Sequence, residues 1–137
     1  EEGKKKIYPK QPVPQFEIDN IFLIAPTTDE ARIKQIAALA TGFVYFVSLK
    51  GVTGAGHLDT AMVEQKLNQI KTHTSLPIGV GFGIKDADTA VTISRLAEGV
   101  VVGSALVDAI FQRSQQGDDV NAATQLIADM RVAMDAV

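Results

Sequence analysis

Four times along this chain, a short run that is apolar at almost every position is followed by a stretch with apolar residues at helical spacing. The runs are Ile21–Ala25, Phe43–Ser48, the segment from Pro77 to Gly83, and Gly99–Val102. A strand that shows water one face alternates apolar and polar residues. A strand that is apolar throughout has both faces covered, as in a parallel sheet wrapped by helices. The intervening segments supply those helices. Ile33, Ile36, Ala37 and Ala40 form one stripe, and Ala61, Val63, Leu67 and Ile70 form a second over residues 60–71. Ala90, Val91, Ile93, Leu96 and Ala97 form a third. A short fourth helix with Ala105, Leu106, Ala109 and Ile110 follows the last strand. Gly117-Asp118-Asp119 then breaks the chain before a final amphipathic helix with Val120, Ala123, Ile127, Met130 and Met134. This is an α/β pattern of four strand–helix units plus a C-terminal helix.

Local signals set the expected helix starts. Thr27 with Glu30 three residues later reads as a capping box, and Asp86 or Asp88 reads as the cap of the third helix. Residues 1–16 stand apart. They hold three of the five prolines and a net charge of +2, against −5 for the rest of the chain. The expected organisation is a proline-rich basic arm or linker over 1–16 and one α/β unit over 17–137.

Composition excludes several function classes. A net charge of −3 argues against nucleic acid as a general partner. No run of apolar residues is long enough for a membrane span, and the lysine-rich start lacks the apolar core of a signal peptide. The absence of cysteine leaves no disulfide or thiolate metal site and fits a reducing compartment, so a cytoplasmic location is expected. No metal site is expected.

The glycines choose between an open doubly wound sheet and a closed barrel. Three of the four strands run into glycine at the carboxyl end: Gly51-Val52-Thr53-Gly54, Gly81-Phe82-Gly83 and Gly103-Ser104. Without a side chain in the way, backbone N–H groups at a helix start can point at an anion. In (β/α) barrels, the loops after the last two strands and a short extra helix commonly form a phosphate site. The pair Gly81-Phe82-Gly83 and Gly103-Ser104 fits that layout. The fold expected is therefore a TIM-type (β/α) barrel of which four units are present.

Taken together, Ile21–Thr27, Gly42–Ser48, Gly51-Val52-Thr53-Gly54, Gly79–Ile84 and Gly99–Ala105 resemble the tryptophan synthase alpha chain. The resemblance runs from about Ile18 to Val137 and corresponds to strands five to eight, the C-terminal half of that barrel. It implies a lyase region acting on indole-3-glycerol phosphate to give indole and glyceraldehyde-3-phosphate. Backbone amides of Gly54, Gly83, Gly103 and Ser104 would hold the phosphate, and Leu23 and Phe82 would contact the indole ring. Tyr45 would project beside the reacting centre, and Thr53 would lie on a mobile loop that orients a catalytic aspartate. The resemblance implies no cofactor on this chain, with pyridoxal phosphate only on a partner beta chain.

The reaction needs a general acid and a general base, which the resemblance places on a glutamate and an aspartate of the family's first half. No position here matches them, so no catalytic residue is assigned. Glu17 and Asp19 precede a strand and fall on the opposite face. Asp29, Glu30, Asp59, Asp86 and Asp88 read as helix-start residues. Lys50, His57 and Lys85 read as solvated loop residues, and His73 as a helix-end cap or solvent-facing group. Four strands are also half a ring, with two unpaired edges and an uncovered interior. A missing half-barrel or a second copy of the chain is the expected completing partner. The alternative is a catalytically inactive phosphate-binding half-barrel that self-associates.

Overall fold

The computed structural model describes residues 18–48, 59–81 and 83–137. Four parallel strands, β1 (Phe22–Ile24), β2 (Val44–Val47), β3 (Ile78–Gly81) and β4 (Gly99–Val101), lie side by side in chain order. Helices α1 (Glu30–Leu39), α2 (Thr60–Lys71) and α3 (Ala87–Ser94) connect them. Helix α4 (Ser104–Gln116), a 3-10 turn at Val120–Thr124 and α5 (Gln125–Asp135) follow β4.

The register divides the strand residues into two faces. Phe22, Val44 and Ile78 are level with one another, and so are Ile24, Phe46, Val80 and Val100. These point at the helices. Ile24, Val44, Phe46, Ile78 and Val80 are buried in one cluster with Ile33 and Ile36 of α1, Val63, Leu67 and Ile70 of α2, Ala90 and Ile93 of α3, and Met130 of α5. Each such side chain contributes about 1.5–3 kcal/mol by leaving water, so the sheet–helix layer is the stabilising core. The other face carries Leu23, Tyr45, Gly79 and Gly99 on one level and Val47, Gly81 and Val101 on the next. It is not fully covered: Leu23 is 64% exposed. The all-apolar strands thus have one face in the core and one lining an open interior, as in half of a barrel.

Aspartates finish most helix starts. Asp29, Asp59 and Asp86 each accept a hydrogen bond from a backbone N–H three residues on, at 2.7, 3.0 and 2.8 Å. Asp119 accepts from Asn121 N–H ahead of the 3-10 turn. The cap of α1 is therefore Asp29, and the expected Thr27–Glu30 box does not form. The hydroxyl of neighbouring Thr28 is used in the preceding turn, where it accepts from Ala25 N–H, and this moves the helix start two residues on. Asp86, not Asp88, caps α3. The helix after β4 is longer than expected, with 13 residues, and it ends at Gly117 in the left-handed conformation (φ 72°). His73 neither caps a helix nor faces solvent freely. Its Nε2 lies 3.2 Å from the Glu30 carboxylate with the side chain 17% exposed, linking the end of α2 to the start of α1.

At the amino end of the strands, Glu98 ties two of them together. Its carboxylate accepts from Ile78 N–H at 2.9 Å and pairs with Lys71 at 2.9 Å. Partial burial pushes the Glu98 carboxyl up, but the Ile78 N–H and the Lys71 ammonium outweigh it and hold the group below its ordinary value. Asp19 lies at this same end against Gly42, which has φ 71°, as its place ahead of β1 requires.

Candidate functional site

Tyr45, Gly83, Ile84, Val101, Gly103 and Ser104 line one cavity of about 210 Å³ at the carboxyl ends of β2, β3 and β4. Pockets for whole drug-sized ligands run to roughly 300–1,000 Å³, so this cavity has room for only part of such a molecule. Four residues singled out from sequence, Tyr45, Gly83, Gly103 and Ser104, meet here. Leu23 shares their inner face, level with Tyr45 on the neighbouring strand. Thr53, Gly54 and Phe82 lie outside the described residues, as do Lys50, His57 and Glu17. Lys85 is exposed.

Each lining group has a local cause. Gly83 has φ 81°, a conformation that costs most L-residues energy. Among the described residues, and apart from their own chain neighbours, no atom lies within 4 Å of where a Cβ would stand at Gly83 or Gly103. Helix α4 begins at Ser104 with Gly103 in the cap position, so the cap residue has no side chain to accept from the N–H groups of the first turn. Its first turn therefore aims backbone N–H groups and the positive end of the helix dipole at the cavity, with no carboxylate of its own in front. A phosphate group at this position would receive those donors.

Cross-strand packing shapes the wall. Tyr45 on β2 and Gly81 on β3 point to the same side of the sheet, and a Cβ at Gly81 would overlap the Tyr45 hydroxyl. Phe43 approaches Gly79 in the same way, at 3.4 Å from its would-be Cβ. The glycines of β3 therefore let aromatic side chains of its neighbour lie across it. Ser48, one residue past β2, is fully buried, and its Oγ donates to the Gly81 carbonyl at 2.8 Å. Sequence reasoning assigned Ser48 only to the end of a strand run. The signal that could have marked it is a lone hydroxyl ending an otherwise apolar run.

Three of the carboxylates near the rim are already engaged. Asp29, Asp59 and Asp86 are occupied as helix caps. Thr89, through its hydroxyl and then its N–H, holds the Asp86 carboxyl below the ordinary aspartate value. Among the described residues no three His, Asp or Glu side chains converge as metal ligands, and no helix is long and apolar enough to cross a membrane. A larger cavity of about 570 Å³ lies beside β4 under α3 and α5, lined by Val100, Val102, Met130 and Met134.

The family model described as tryptophan synthase alpha chain matches residues 3–136. The chain belongs to the tryptophan synthase alpha chain family. It is 56% identical over 119 residues to the tryptophan synthase alpha chain of Thioalkalivibrio sulfidiphilus, covering 86% of this chain and 45% of that protein. It is 48% identical over 120 residues to that of Thiobacillus denitrificans, covering 88% of this chain and 44% of that one. The crystal structure of tryptophan synthase subunit alpha from Legionella pneumophila superposes with a TM-score of 0.76 at 31% identity, over 90% of this chain and 45% of that one. The chain thus spans a little under half the length of these alpha chains. The family match begins at residue 3, so the segment set apart above as an arm falls largely within it.

Proposed function

We propose that this chain supplies the substrate-phosphate half of a tryptophan synthase alpha-type lyase, which cleaves indole-3-glycerol phosphate to indole and glyceraldehyde-3-phosphate. The observation that carries this reading is the meeting of Gly83, Gly103 and Ser104 around one small cavity, at a helix start whose cap residue has no side chain. Leu23 and Tyr45 lie on the inner face beside it, suited to the ring and the reacting part of the substrate. Thr53, Gly54 and Phe82 complete the binding set by resemblance. The general acid and base come from the first half of the barrel, so catalysis requires that half. The chain itself carries no cofactor, and pyridoxal phosphate belongs to a partner beta chain that receives the indole. The setting is cytoplasmic biosynthesis. In this reading, residues 1–16 are a proline-rich basic arm or linker, lying largely within the family match, and 17–137 are the half-barrel.

Titration with inorganic phosphate, followed by amide resonances, tests the site. Gly83, Ser104 and Ala105 should respond. Gly103→Val should remove the response, because a β-branched side chain blocks approach to the backbone. Equal responses in both proteins would sink the assignment.

A second reading is favoured by the exposure of Leu23 on the inner face and of Val107 and Phe111 on α4, at 64, 63 and 56%. Exposed apolar area on this scale drives association. In this reading the chain is an inactive phosphate-binding half-barrel whose second copy closes the ring. Sedimentation at micromolar concentration separates the two: a compact, cooperatively unfolding species at 14.6 kDa rules self-association out.

A further inference from the structure

The backbone that presents Gly83 is rich in glycine. Gly79, Gly81 and Gly83 alternate through β3 and its exit, and glycine loses more conformational freedom on ordering than any other residue. Something outside this segment must hold it if Gly83 is to present its N–H in one direction. Gly81 is gripped on both sides. The Tyr45 ring lies across its Cα. Its carbonyl accepts twice from one residue, from Ser48 N–H at 3.0 Å and from Ser48 Oγ at 2.8 Å. The N–H bond prolongs the β2–β3 ladder by one step. The hydroxyl bond is additional. It comes from a side chain with 0% exposure, where water cannot compete for the same carbonyl and a hydrogen bond keeps more of its strength.

We infer that Ser48 is a positioning residue for phosphate binding: its hydroxyl fixes the direction in which β3 ends and so aims the Gly83 N–H into the cavity shared with Ser104. The inference rests on the phosphate-site reading above.

The test is titration of the full chain with inorganic phosphate, in wild type, Ser48→Ala, Ser48→Cys and Ser48→Thr, with amide resonances and denaturant midpoints recorded for each. Cysteine keeps nearly the shape of serine but is a poor donor, whereas threonine keeps the hydroxyl. Phosphate affinity in the folded protein should fall about three- to tenfold in Ser48→Ala and Ser48→Cys, the scale of one buried neutral hydrogen bond. The Gly83 amide resonance should move even without phosphate, and Ser48→Thr should recover most of the affinity. A purely structural serine would lower the denaturant midpoint and leave the affinity of the folded fraction unchanged. That result overturns the inference while leaving the site intact. No phosphate response at Gly83 or Ser104 in the wild-type chain overturns the site itself, and with it the purpose given to Ser48.

Discussion

Helices α3 and α4 both start just after a glycine-bearing strand end on the same rim of the sheet, yet they are finished in opposite ways. At α3, Asp86 accepts from the Thr89 N–H at 2.8 Å and from its hydroxyl at 2.6 Å, so the first turn is satisfied by its own carboxylate. At α4, the cap is Gly103, which has no side chain to offer the first turn. The dipole and the free N–H groups are similar in kind at both ends. One end has an internal anion and the other is left for an external one. A helix start acquires a binding role here through what is left out in front of it.

The most direct way to break the comparison is to give α4 the cap of α3. Gly103→Asp places a carboxylate where the phosphate would stand, so phosphate affinity should fall by about 100-fold or more. The helix itself should be no less stable, because aspartate is a favoured cap. Retained binding together with a raised denaturant midpoint would show that the anion is held elsewhere.

A smaller effect is expected from the wall. In Gly81→Ala, the added methyl meets the Tyr45 hydroxyl, and overpacking of this kind costs about 1–3 kcal/mol. The denaturant midpoint should drop accordingly, and the cavity lined by Tyr45 should change shape. An unchanged midpoint would mean that Tyr45 swings away freely.

The smallest effect sharpens the other side of the comparison. Asp86→Ala should cost about 1 kcal/mol, as lost caps do, with phosphate affinity unaltered. The same cap sets an acid dependence. The folded Asp86 carboxyl lies below its ordinary value because Thr89 donates to its ionised form. Its contribution is therefore fully present above the unfolded aspartate range, near pH 4, and is lost as pH falls through the lower folded value. Amide exchange in acid should thus loosen the start of α3 while the start of α4, which has no titrating cap, keeps its protection. Equal loosening at both ends would contradict the assignment.

Much of this arrangement was legible before any coordinates. The four strands and the bounds of α2 follow from apolar runs and helical spacing, which are local properties. The glycines at 83 and 103 pointed to strand ends that line the smaller cavity. The remaining features were not legible, each for a physical reason. The cap of α1 was misplaced because Thr27, Thr28 and Asp29 can all cap, and only the turn back to Ala25 decides among them. The length of α4 was underestimated because Gln112–Gln116 has helix propensity but no apolar stripe. The approach of Tyr45 to Gly81, the Ser48 bond and the His73–Glu30 pair all depend on cross-strand register or helix docking, which no single segment encodes.

The chain-order arrangement of the strands carries a consequence for how the molecule forms. Each strand pairs only with the one before and the one after it, Phe22 with Val44, Val44 with Ile78, and Gly79 with Gly99. Every pairing therefore closes a loop of modest length, and the entropy of loop closure grows only slowly with length. Parallel pairing is intrinsically slow, but pairing each strand with its sequence neighbour keeps the closures shorter than pairing the first strand with the last would. Each unit can dock on its predecessor while the polypeptide is still being synthesised, with no strand waiting for a partner from the far end. The one contact that cannot form this way is between the two outermost strands of a complete ring, so closure is the natural last event and the natural place for assembly to stall.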